Sequence, residues 1–322
     1  MTESTDKKRI SYLGVLGSYS HQACMEFFPD GYYSGLKKFD EVIRAADSGK
    51  TDYAILPVEN SSAGRVTEVY NLLPTVKLQI VGEYLLPIHH CLMVAYKAYR
   101  QWVPKGMKDE DIEAWKNSPL TKEERADALA SIQEVHSHSQ ALMQCSNYLE
   151  EKLPNARTVV DFDTATAAQT LARMDTKERA VIASRHTAEI YSLLMLDENI
   201  ENDPYNMTRF LVFGKEPLEP EDSDKPFLTS ILFQTNHKPG ALIGALSAFA
   251  NHGVNLTKLE TYMVSQQLPL PTFYVDIGTS MANPDLQKAL KEFEKYTQEY
   301  HILGSYPASP HRGQKNSFLP VK

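Results

Sequence analysis

The sequence contains 322 residues, 42% of them hydrophobic, which is enough for about two globular domains with a sizeable core. Its 33 basic and 41 acidic residues give a net charge of −8, which argues against nucleic acid as a partner because phosphate binding needs a basic face. The three cysteines have no framework spacing, and neither a signal peptide nor an apolar run of roughly 20 residues is found. We therefore expect a soluble cytoplasmic protein with reduced thiols.

Strand and helix patterns alternate along the N-terminal part of the chain. An apolar run at 10–14 predicts a strand, and a helical pattern with a serine cap follows at 18–28. A helix over 39–49 and a buried strand over 53–59 repeat the arrangement, which continues to an apolar strand at 210–213. This alternation predicts an open α/β sheet architecture, in which anionic ligands bind at strand C-termini and helix N-termini.

Two segments interrupt this alternation. The charged stretch 97–130 predicts a solvated surface insertion with a helix capped near Thr121, and the acidic, proline-containing stretch 216–226 predicts a linker. Beyond the linker the order of patterns is β-α-β-β-α-β, which is typical of a small ferredoxin-like domain. We expect the tail from residue 308 to be disordered.

Several predicted strands end in polar residues, where ligands bind in open α/β sheets. A plain turn or helix cap is the alternative at Ser18, Ser61 and Ser137. Arg209 is distinctive because an unpaired guanidinium beside a hydrophobic strand is costly unless an anion meets it. Together these strand ends predict a cleft for a small, anionic, oxygen-rich molecule. The candidates are Ser18, Glu59, Asn60, Ser61, Ser137, Thr164, Thr208 and Arg209.

Two histidine clusters could in principle bind a metal. They are His89–His90 with Cys91, and His136 with His138. Neither has the ligand spacing of a zinc site, so we expect no metal. No Gly-x-Ser-x-Gly turn indicates a serine nucleophile either.

Seven short motifs occur in a specific order: GVLGSYS, PVENSSAG, HCL, SHSQALMQC, DTATAA, VIAS and NMTRF. This order resembles the prephenate dehydratase family, the lyases of phenylalanine biosynthesis, over about residues 10–307. The resemblance implies a two-lobed, periplasmic-binding-protein-like (type II) catalytic domain whose active site lies in the cleft. It also implies prephenate as the substrate and neither a nucleotide nor a metal cofactor.

The Thr-Arg-Phe motif of the family falls on residues 208–210. The reaction removes the ring carboxylate of prephenate as carbon dioxide and the ring hydroxyl as water, and hydroxide leaves poorly without a hydrogen-bond donor. The resemblance implies two catalytic residues, Thr208 as this donor and Arg209 as the group that binds the side-chain carboxylate. It implies that Phe210 packs in the substrate cleft. Further substrate-binding residues carried over are Ser18, Glu59, Asn60, Ser61, Ser137 and Thr164.

The segment PGALIGALSAFANHGVNLTKLET resembles the regulatory ACT domain of the same family. This implies phenylalanine as an effector and pairing of domains into a homodimer or homotetramer. The usual Glu-Ser-Arg-Pro motif is Glu260-Thr261-Tyr262-Met263 here, so we expect altered effector geometry or lost feedback inhibition. The implied effector-binding residues are Pro239, Gly240, Ala241, Leu242 and Glu260.

The expected domain boundaries follow from these patterns. The catalytic domain spans 9–215, with lobe 1 at about 9–88 and 187–215, lobe 2 at about 89–186, and the charged insertion at 97–130. The linker is 216–226, the ACT domain is 227–307, and the tail is 308–322.

Two alternatives to a prephenate dehydratase stay open. Arogenate dehydratases share these motifs and accept an amino group where prephenate has a keto group. A non-catalytic cytoplasmic amino-acid sensor could use the same two-lobed architecture, since a fold alone does not establish a function.

Overall fold

The computed structural model describes residues 7–100, 104–105, 107–116, 118–218, 226–263 and 271–313. Two α/β units and a β-α-β-β-α-β domain are present in these residues, so the predicted fold class is confirmed. The strands are β1 (Arg9–Leu13), β2 (Tyr32–Leu36), β3 (Tyr53–Asn60), β4 (Gly64–Arg65), β5 (Gln79–Pro87), β6 (Cys91–Val94), β7 (Glu134–Ser137), β8 (Arg157–Val160), β9 (Arg179–Ala183), β10 (Leu194–Glu198), β11 (Met207–Gly214), β12 (Phe227–Thr235), β13 (Leu256–Met263), β14 (Pro271–Ile277) and β15 (Thr297–Pro307). The α-helices are α1 (Tyr19–Phe27), α2 (Phe39–Asp47), α3 (Thr67–Leu72), α4 (Tyr96–Arg100), α5 (Asp109–Lys116), α6 (Lys122–Ser131), α7 (Ser139–Gln144), α8 (Ser146–Lys152), α9 (Thr164–Leu171), α10 (Arg185–Tyr191), α11 (Ala241–Asn251) and α12 (Pro284–Phe293).

The first compact unit comprises the described parts of Met1–Leu13, Ala23–Leu86 and Met207–Lys322. Its larger sheet has the order β2-β1-β3-β11-β5, with the short β4 paired to β3. Strand β1 runs parallel to β2 and β3, whereas β11 runs antiparallel to β3. The return of the chain through β11 therefore brings residues 207–214 into the middle of a sheet built mainly from the N-terminal segment.

The second compact unit comprises Gly14–Gln22 and Pro87–Asn206. Its sheet has the order β10-β6-β9-β7-β8, in which β7 is parallel to β8 and β9 while β6 is antiparallel to β9 and β10. The expected lobe boundary at residue 187 therefore differs from the structure. Residues 187–206 belong to the second unit because β10 pairs with β6.

The C-terminal domain (residues 227–307) forms an antiparallel sheet of order β13-β14-β12-β15. Helices α11 and α12 cover one face through a core that includes Phe233, Phe249 and Phe293. The opposite face joins the core of the larger sheet in the same unit. That shared core contains Tyr70, Leu211, Phe213, Leu228, Leu232, Tyr274 and Tyr306.

A glycine allows the two sheets of the first unit to approach closely. A Cβ atom at Gly304, in β15, would lie 2.1 Å from the carbonyl oxygen of Ile80 in β5. Any side chain at this position would push β15 away from β5. The C-terminal domain is thus packed directly against the sheet that carries β3 and β11.

Two expectations about surface segments need correction. The charged insertion contains α5, which buries nothing, but Arg100 and Ala128 are buried. Arg100 donates to Glu124 at 2.7 Å, and the predicted cap is confirmed because the Thr121 side chain accepts from the Glu124 N–H.

The tail is not disordered at its start, since Ser309 and Arg312 are buried. Residues 219–225 of the predicted linker and 314–322 of the tail lie outside the described residues. Within the described ranges, no helix has the length and hydrophobicity needed to cross a membrane.

Candidate active site

Strands β3 and β11 bring four of the candidate residues together in two opposed pairs. Thr208 lies opposite Asn60, and Arg209 lies opposite Glu59. Adjacent residues of a strand point to opposite faces of a sheet. The strand pair therefore presents Asn60 and Thr208 on one face and Glu59 and Arg209 on the other.

The side chain of Asn60 orients the hydroxyl of Thr208. Its Oδ1 accepts hydrogen bonds from the backbone N–H groups of Ser62 at 3.0 Å and Ala63 at 2.9 Å, which fixes the orientation of the amide. The Nδ2 group then donates to Thr208 Oγ1 at 3.0 Å and to the Met207 carbonyl at 3.1 Å. Because Thr208 accepts from Asn60, its own proton is directed to another acceptor.

Ser61 holds the start of β11 in place. Its N–H donates to the Met207 carbonyl at 2.9 Å, and its Oγ accepts from the Met207 N–H at 3.0 Å. This two-way contact fixes the backbone directly before Thr208. The cap alternative for Ser61 is therefore replaced by a contact between strand ends.

Arg209 is enclosed by groups of the protein itself. Its side chain is 0% exposed, and its guanidinium donates to Glu83 at 2.8 Å, Asp276 at 2.6 Å and the Tyr306 hydroxyl at 3.1 Å. This placement contradicts the expectation that Arg209 binds the substrate carboxylate, because the anions that meet the guanidinium belong to the protein. The reason is strand alternation, which turns Arg209 away from the face of Thr208.

The buried cluster around Arg209 is electrically balanced. Glu83 also accepts from Arg312 at 2.7 and 2.8 Å and from the Ser309 N–H at 2.9 Å, so two carboxylates meet two guanidinium groups. Burial raises the pKa of Glu83 and Asp276, but the charge of Arg209 and hydrogen bonds outweigh it and hold both pKa values below their usual range. The cluster is therefore ionised at neutral pH.

Glu59 contacts the C-terminal domain as well. It accepts from the ammonium group of Lys258, in β13, at 2.7 Å, and the same ammonium reaches Glu260 at 3.0 Å. Arg65 in β4 donates to Glu260 at 3.3 Å and to the Thr261 carbonyl at 2.8 Å. The implied substrate residue Glu59 and the implied effector residue Glu260 thus share one lysine at the junction of the two sheets.

A family model described as prephenate dehydratase matches residues 10–218. This chain belongs to the prephenate dehydratase family. The matched range includes β3 and β11, which carry Asn60 and Thr208.

Relatives of the chain carry both dehydratase names. The chain is 35% identical to arogenate dehydratase 2 of Petunia hybrida, with 96% of the chain and 74% of that protein covered. It is 31% identical to the bifunctional chorismate mutase/prephenate dehydratase of Enterobacter agglomerans, covering 93% of the chain and 70% of that protein. A solved prephenate dehydratase from Arthrobacter aurescens in complex with L-Phe superposes with a TM-score of 0.76 at 26% identity, over 94% of each chain.

Three further dehydratase motif residues lie in the second unit. Ser18 accepts from the His21 N–H at 3.3 Å, as a helix cap does. Ser137 is fully buried and donates its hydroxyl to the Ile182 carbonyl at 2.6 Å, so it is not the helix cap considered from the sequence. Thr164 is the first residue of α9 and is nearly buried, while Asp163 caps that helix. Of these family residues, the structure brings together Asn60, Ser61 and Thr208.

Phe210, the last residue of the Thr-Arg-Phe motif, was expected to pack in the substrate cleft, but its side chain lies in the core. Its ring is 1% exposed in β11, which makes it a packing residue of the first unit. The effector segment of the family motif lies at the start of α11, where Gly240 is the N-cap with a φ of 81°. Tyr262, which replaces the family's arginine, is buried against Tyr70 with ring centroids 5.9 Å apart.

The histidines have protein partners. His136 contacts Glu134 and Asp161 at 3.0 and 3.1 Å, and His90 contacts the Tyr19 hydroxyl and Gln144. Burial lowers the pKa of His90. Among the residues that the structure describes, no group of three or more His, Cys, Asp or Glu side chains is arranged to hold a metal ion.

Sequence reasoning missed the partners of Arg209. Glu83 and Asp276 each lie in a mostly apolar strand, in QIVGEYLLP and PTFYVDI. A carboxylate buried in such a strand requires a cation or several donors. That signal was available in the sequence and would have pointed to a buried cation such as Arg209.

Proposed function

We propose that this chain converts prephenate to phenylpyruvate, carbon dioxide and water, with Thr208 as the hydrogen-bond donor to the leaving hydroxyl. The observation that carries the proposal is the hydrogen bond from Asn60 Nδ2 to Thr208 Oγ1 at 3.0 Å. It leaves the threonine proton free for the substrate. Donation to Thr208 also polarises its O–H bond and makes it a better donor.

The chemistry demands little more than orientation and one donor. The bond between the ring and the carboxylate breaks, and its electron pair enters the ring as the C–O bond to the hydroxyl breaks. Aromatisation supplies much of the driving force, so a neutral hydroxyl suffices to support the departing hydroxide, which takes its proton from solvent. Asn60 and Ser61 serve this step by fixing the hydroxyl and the backbone of Thr208.

The proposed substrate contacts follow from the same face of the sheet. Thr208 and Asn60 present uncharged polar groups, and Glu59 faces the C-terminal domain through Lys258. A carboxylate beside the substrate would repel a dianion. The orientation of Glu59 away from Thr208 therefore suits prephenate, which carries two carboxylates.

Arogenate is the second candidate substrate. A relative 35% identical to this chain is named arogenate dehydratase 2. The same donor at Thr208 suits both substrates, since they differ only in the keto or amino group of the side chain. The distinction therefore depends on contacts to that group and not on the step at the ring.

The experiment incubates purified protein with prephenate and, separately, with arogenate, and quantifies phenylpyruvate and phenylalanine. Phenylpyruvate from prephenate at the higher kcat/KM supports the proposal. Phenylalanine from arogenate at the higher kcat/KM assigns the sister activity. No product from either, with ligand still bound, supports the amino-acid sensor.

We further propose that phenylalanine binds the C-terminal domain near residues 239–242 and that the chain is a cytoplasmic homodimer or homotetramer. The Arthrobacter aurescens relative, solved in complex with L-Phe, supports the effector. Strands β13 and β15 form the two edges of the C-terminal sheet, and edge strands invite pairing between copies. Calorimetry with phenylalanine and light scattering test the two points, and absent binding heat or a single-protomer mass would contradict them.

A further inference from the structure

The candidate donor Thr208 is adjacent in sequence to Arg209, whose side chain is held by three hydrogen-bond acceptors. Arg209 has acceptors at its Nε, Nη1 and Nη2 atoms, and all three partners are buried. Two adjacent residues share one peptide plane, so a shift of Arg209 along or across β11 moves the backbone of Thr208 as well. The position of the donor hydroxyl therefore depends on what holds the guanidinium.

One of these partners comes from the C-terminal domain. Asp276 lies in β14, an inner strand of the C-terminal sheet that is paired on both sides by β12 and β13. Its Oδ2 accepts from Arg209 at 2.6 Å. The sequence separation of 67 residues shows that this contact joins two parts of the chain that pack only through tertiary structure.

The carboxylate of Asp276 is itself held by several donors. Its Oδ1 accepts from the Ser230 hydroxyl and from the Tyr274 hydroxyl, each at 2.5 Å. Ser230 is also within 2.6 Å of the Tyr306 hydroxyl, which accepts from Arg209. Both oxygens of Asp276 are thus occupied, and the group has a single rigid position from which to hold the guanidinium.

We propose that Asp276 is a positioning residue for dehydration: through Arg209 it holds the end of β11 so that the Thr208 hydroxyl stays on Asn60 and directed at the substrate. The C-terminal domain is then part of the machinery that sets turnover. A displacement of β14 relative to the larger sheet would be transmitted to Thr208 through the Asp276–Arg209 ion pair and the peptide bond between Thr208 and Arg209. This inference rests on the role proposed for Thr208.

The kinetic test is Asp276→Asn, which removes the charge and keeps the size. We expect kcat to fall about tenfold while KM changes less than about threefold, because the donor acts in the transition state and binding contacts are retained. Glu124→Gln is the matched control. It weakens another arginine–carboxylate contact, that between the buried Arg100 and the partly exposed Glu124, within the second unit. The control is expected to lose stability without a change in kcat.

A spectroscopic test reads the position of Thr208 directly. The protein is labelled with 13C-methyl threonine, and the Thr208 methyl resonance is identified by its loss in Thr208→Ser. Asp276→Asn is expected to shift this resonance, whereas Glu124→Gln leaves it unchanged. Should Asp276→Asn fail to fold, Ser230→Ala removes one donor to Asp276 and is expected to shift the same resonance by less.

The two tests separate this inference from the proposed function. An unchanged Thr208 methyl resonance in a folded Asp276→Asn or Ser230→Ala protein overturns the positioning role, whatever the turnover. A rise in KM with unchanged kcat overturns it as well. If the wild-type protein forms no product from prephenate or arogenate, the proposed function fails, and the methyl spectrum still decides whether Asp276 positions Thr208.

Discussion

Asn60 donates to Thr208 Oγ1 at 3.0 Å, and two backbone N–H groups that bind its Oδ1 leave its amide only this orientation. The hydroxyl of Thr208 therefore accepts from the protein, and we propose that it donates to the substrate. On the opposite face of the same two strands, Glu59 and Arg209 are bound to the C-terminal domain. The candidate chemistry and the contact with the C-terminal domain are thus one residue apart on both strands.

Removal of the Thr208 hydroxyl should abolish most turnover. We expect Thr208→Ala to lower kcat by about 10²- to 10³-fold, the range for loss of a positioned hydrogen-bond donor at a reacting oxygen, and Thr208→Ser to retain part of the activity. Steady-state kinetics with prephenate measures this. Thr75→Ala is the control, since the Thr75 hydroxyl donates to the Leu72 carbonyl at 2.9 Å, and it should leave kcat unchanged. Turnover near the wild-type value in Thr208→Ala would remove the assigned role.

A substitution of Asn60 can reverse the hydrogen bond between Asn60 and Thr208. In Asn60→Asp, an acceptor oxygen replaces Nδ2, so the Thr208 hydroxyl donates to the carboxylate and not to the substrate. We expect kcat to fall about 10²-fold, as for loss of a donor at a reacting oxygen. Asn236→Asp, which alters a half-buried amide that donates to the Lys295 carbonyl, is the control. Equal activity of the two variants would contradict the proposed hydrogen-bond direction.

The ion cluster around Arg209 should contribute strongly to stability. Glu83→Gln leaves Arg209 and Arg312 with one fewer charge partner in a buried site, and we expect unfolding free energy to fall by about 3–5 kcal/mol. Urea denaturation measures the change. Asp40→Asn breaks an exposed pair with Arg44 and should cost less than about 0.5 kcal/mol. Similar losses in both variants would show that the cluster is no more important than a surface pair.

The same cluster predicts acid sensitivity. The pKa values of Glu83 and Asp276 are lowered from 4.5 and 3.8, since the charge of Arg209 outweighs their burial. A carboxyl group with a lowered pKa stabilises the folded state fully above its unfolded pKa, and this stabilisation is lost as pH falls through the folded pKa. Unfolding free energy should therefore decline below about pH 4.5. Glu83→Gln should show a shallower decline, and an identical slope would contradict the assignment.

The segment after β15 should stabilise the first unit. Arg312 is buried and donates twice to Glu83, so Arg312→Met leaves that carboxylate with Arg209 as its remaining arginine. We expect a loss of about 3 kcal/mol in urea denaturation. Arg44→Met, at a side chain that is 68% exposed, should be close to neutral. A neutral Arg312→Met would contradict a stabilising role for this segment.

Much of the architecture follows from local patterns. Periodicity predicted the β-α-β-β-α-β order of the C-terminal domain, and the capping pattern at Thr121 matches the observed start of α6. Such features depend on residues within a few positions of each other, which a single sequence displays directly. The order of the motifs likewise indicated the family before any tertiary contact was considered.

The partners of Arg209 illustrate what local patterns leave open. The sequence indicates that the guanidinium of Arg209, beside a core strand, needs an anionic partner. In the structure the carboxylates of Glu83 and Asp276 are those partners. Alternation along β11 assigns Thr208 and Arg209 to opposite faces, but it does not say which face a ligand occupies. That choice depends on what packs against each face.

By itself the sequence determined the α/β class of the N-terminal part, the β-α-β-β-α-β order of the C-terminal domain and the order of the family motifs, including the one that contains Thr208. Only the tertiary structure decided that Arg209 belongs to a buried ion cluster, that Asn60 orients Thr208, and that the C-terminal domain reaches the same strand through Asp276. The physical reason is that these contacts join residues separated by 67 to 148 positions. Their geometry is set by the packing of whole sheets and not by any local pattern.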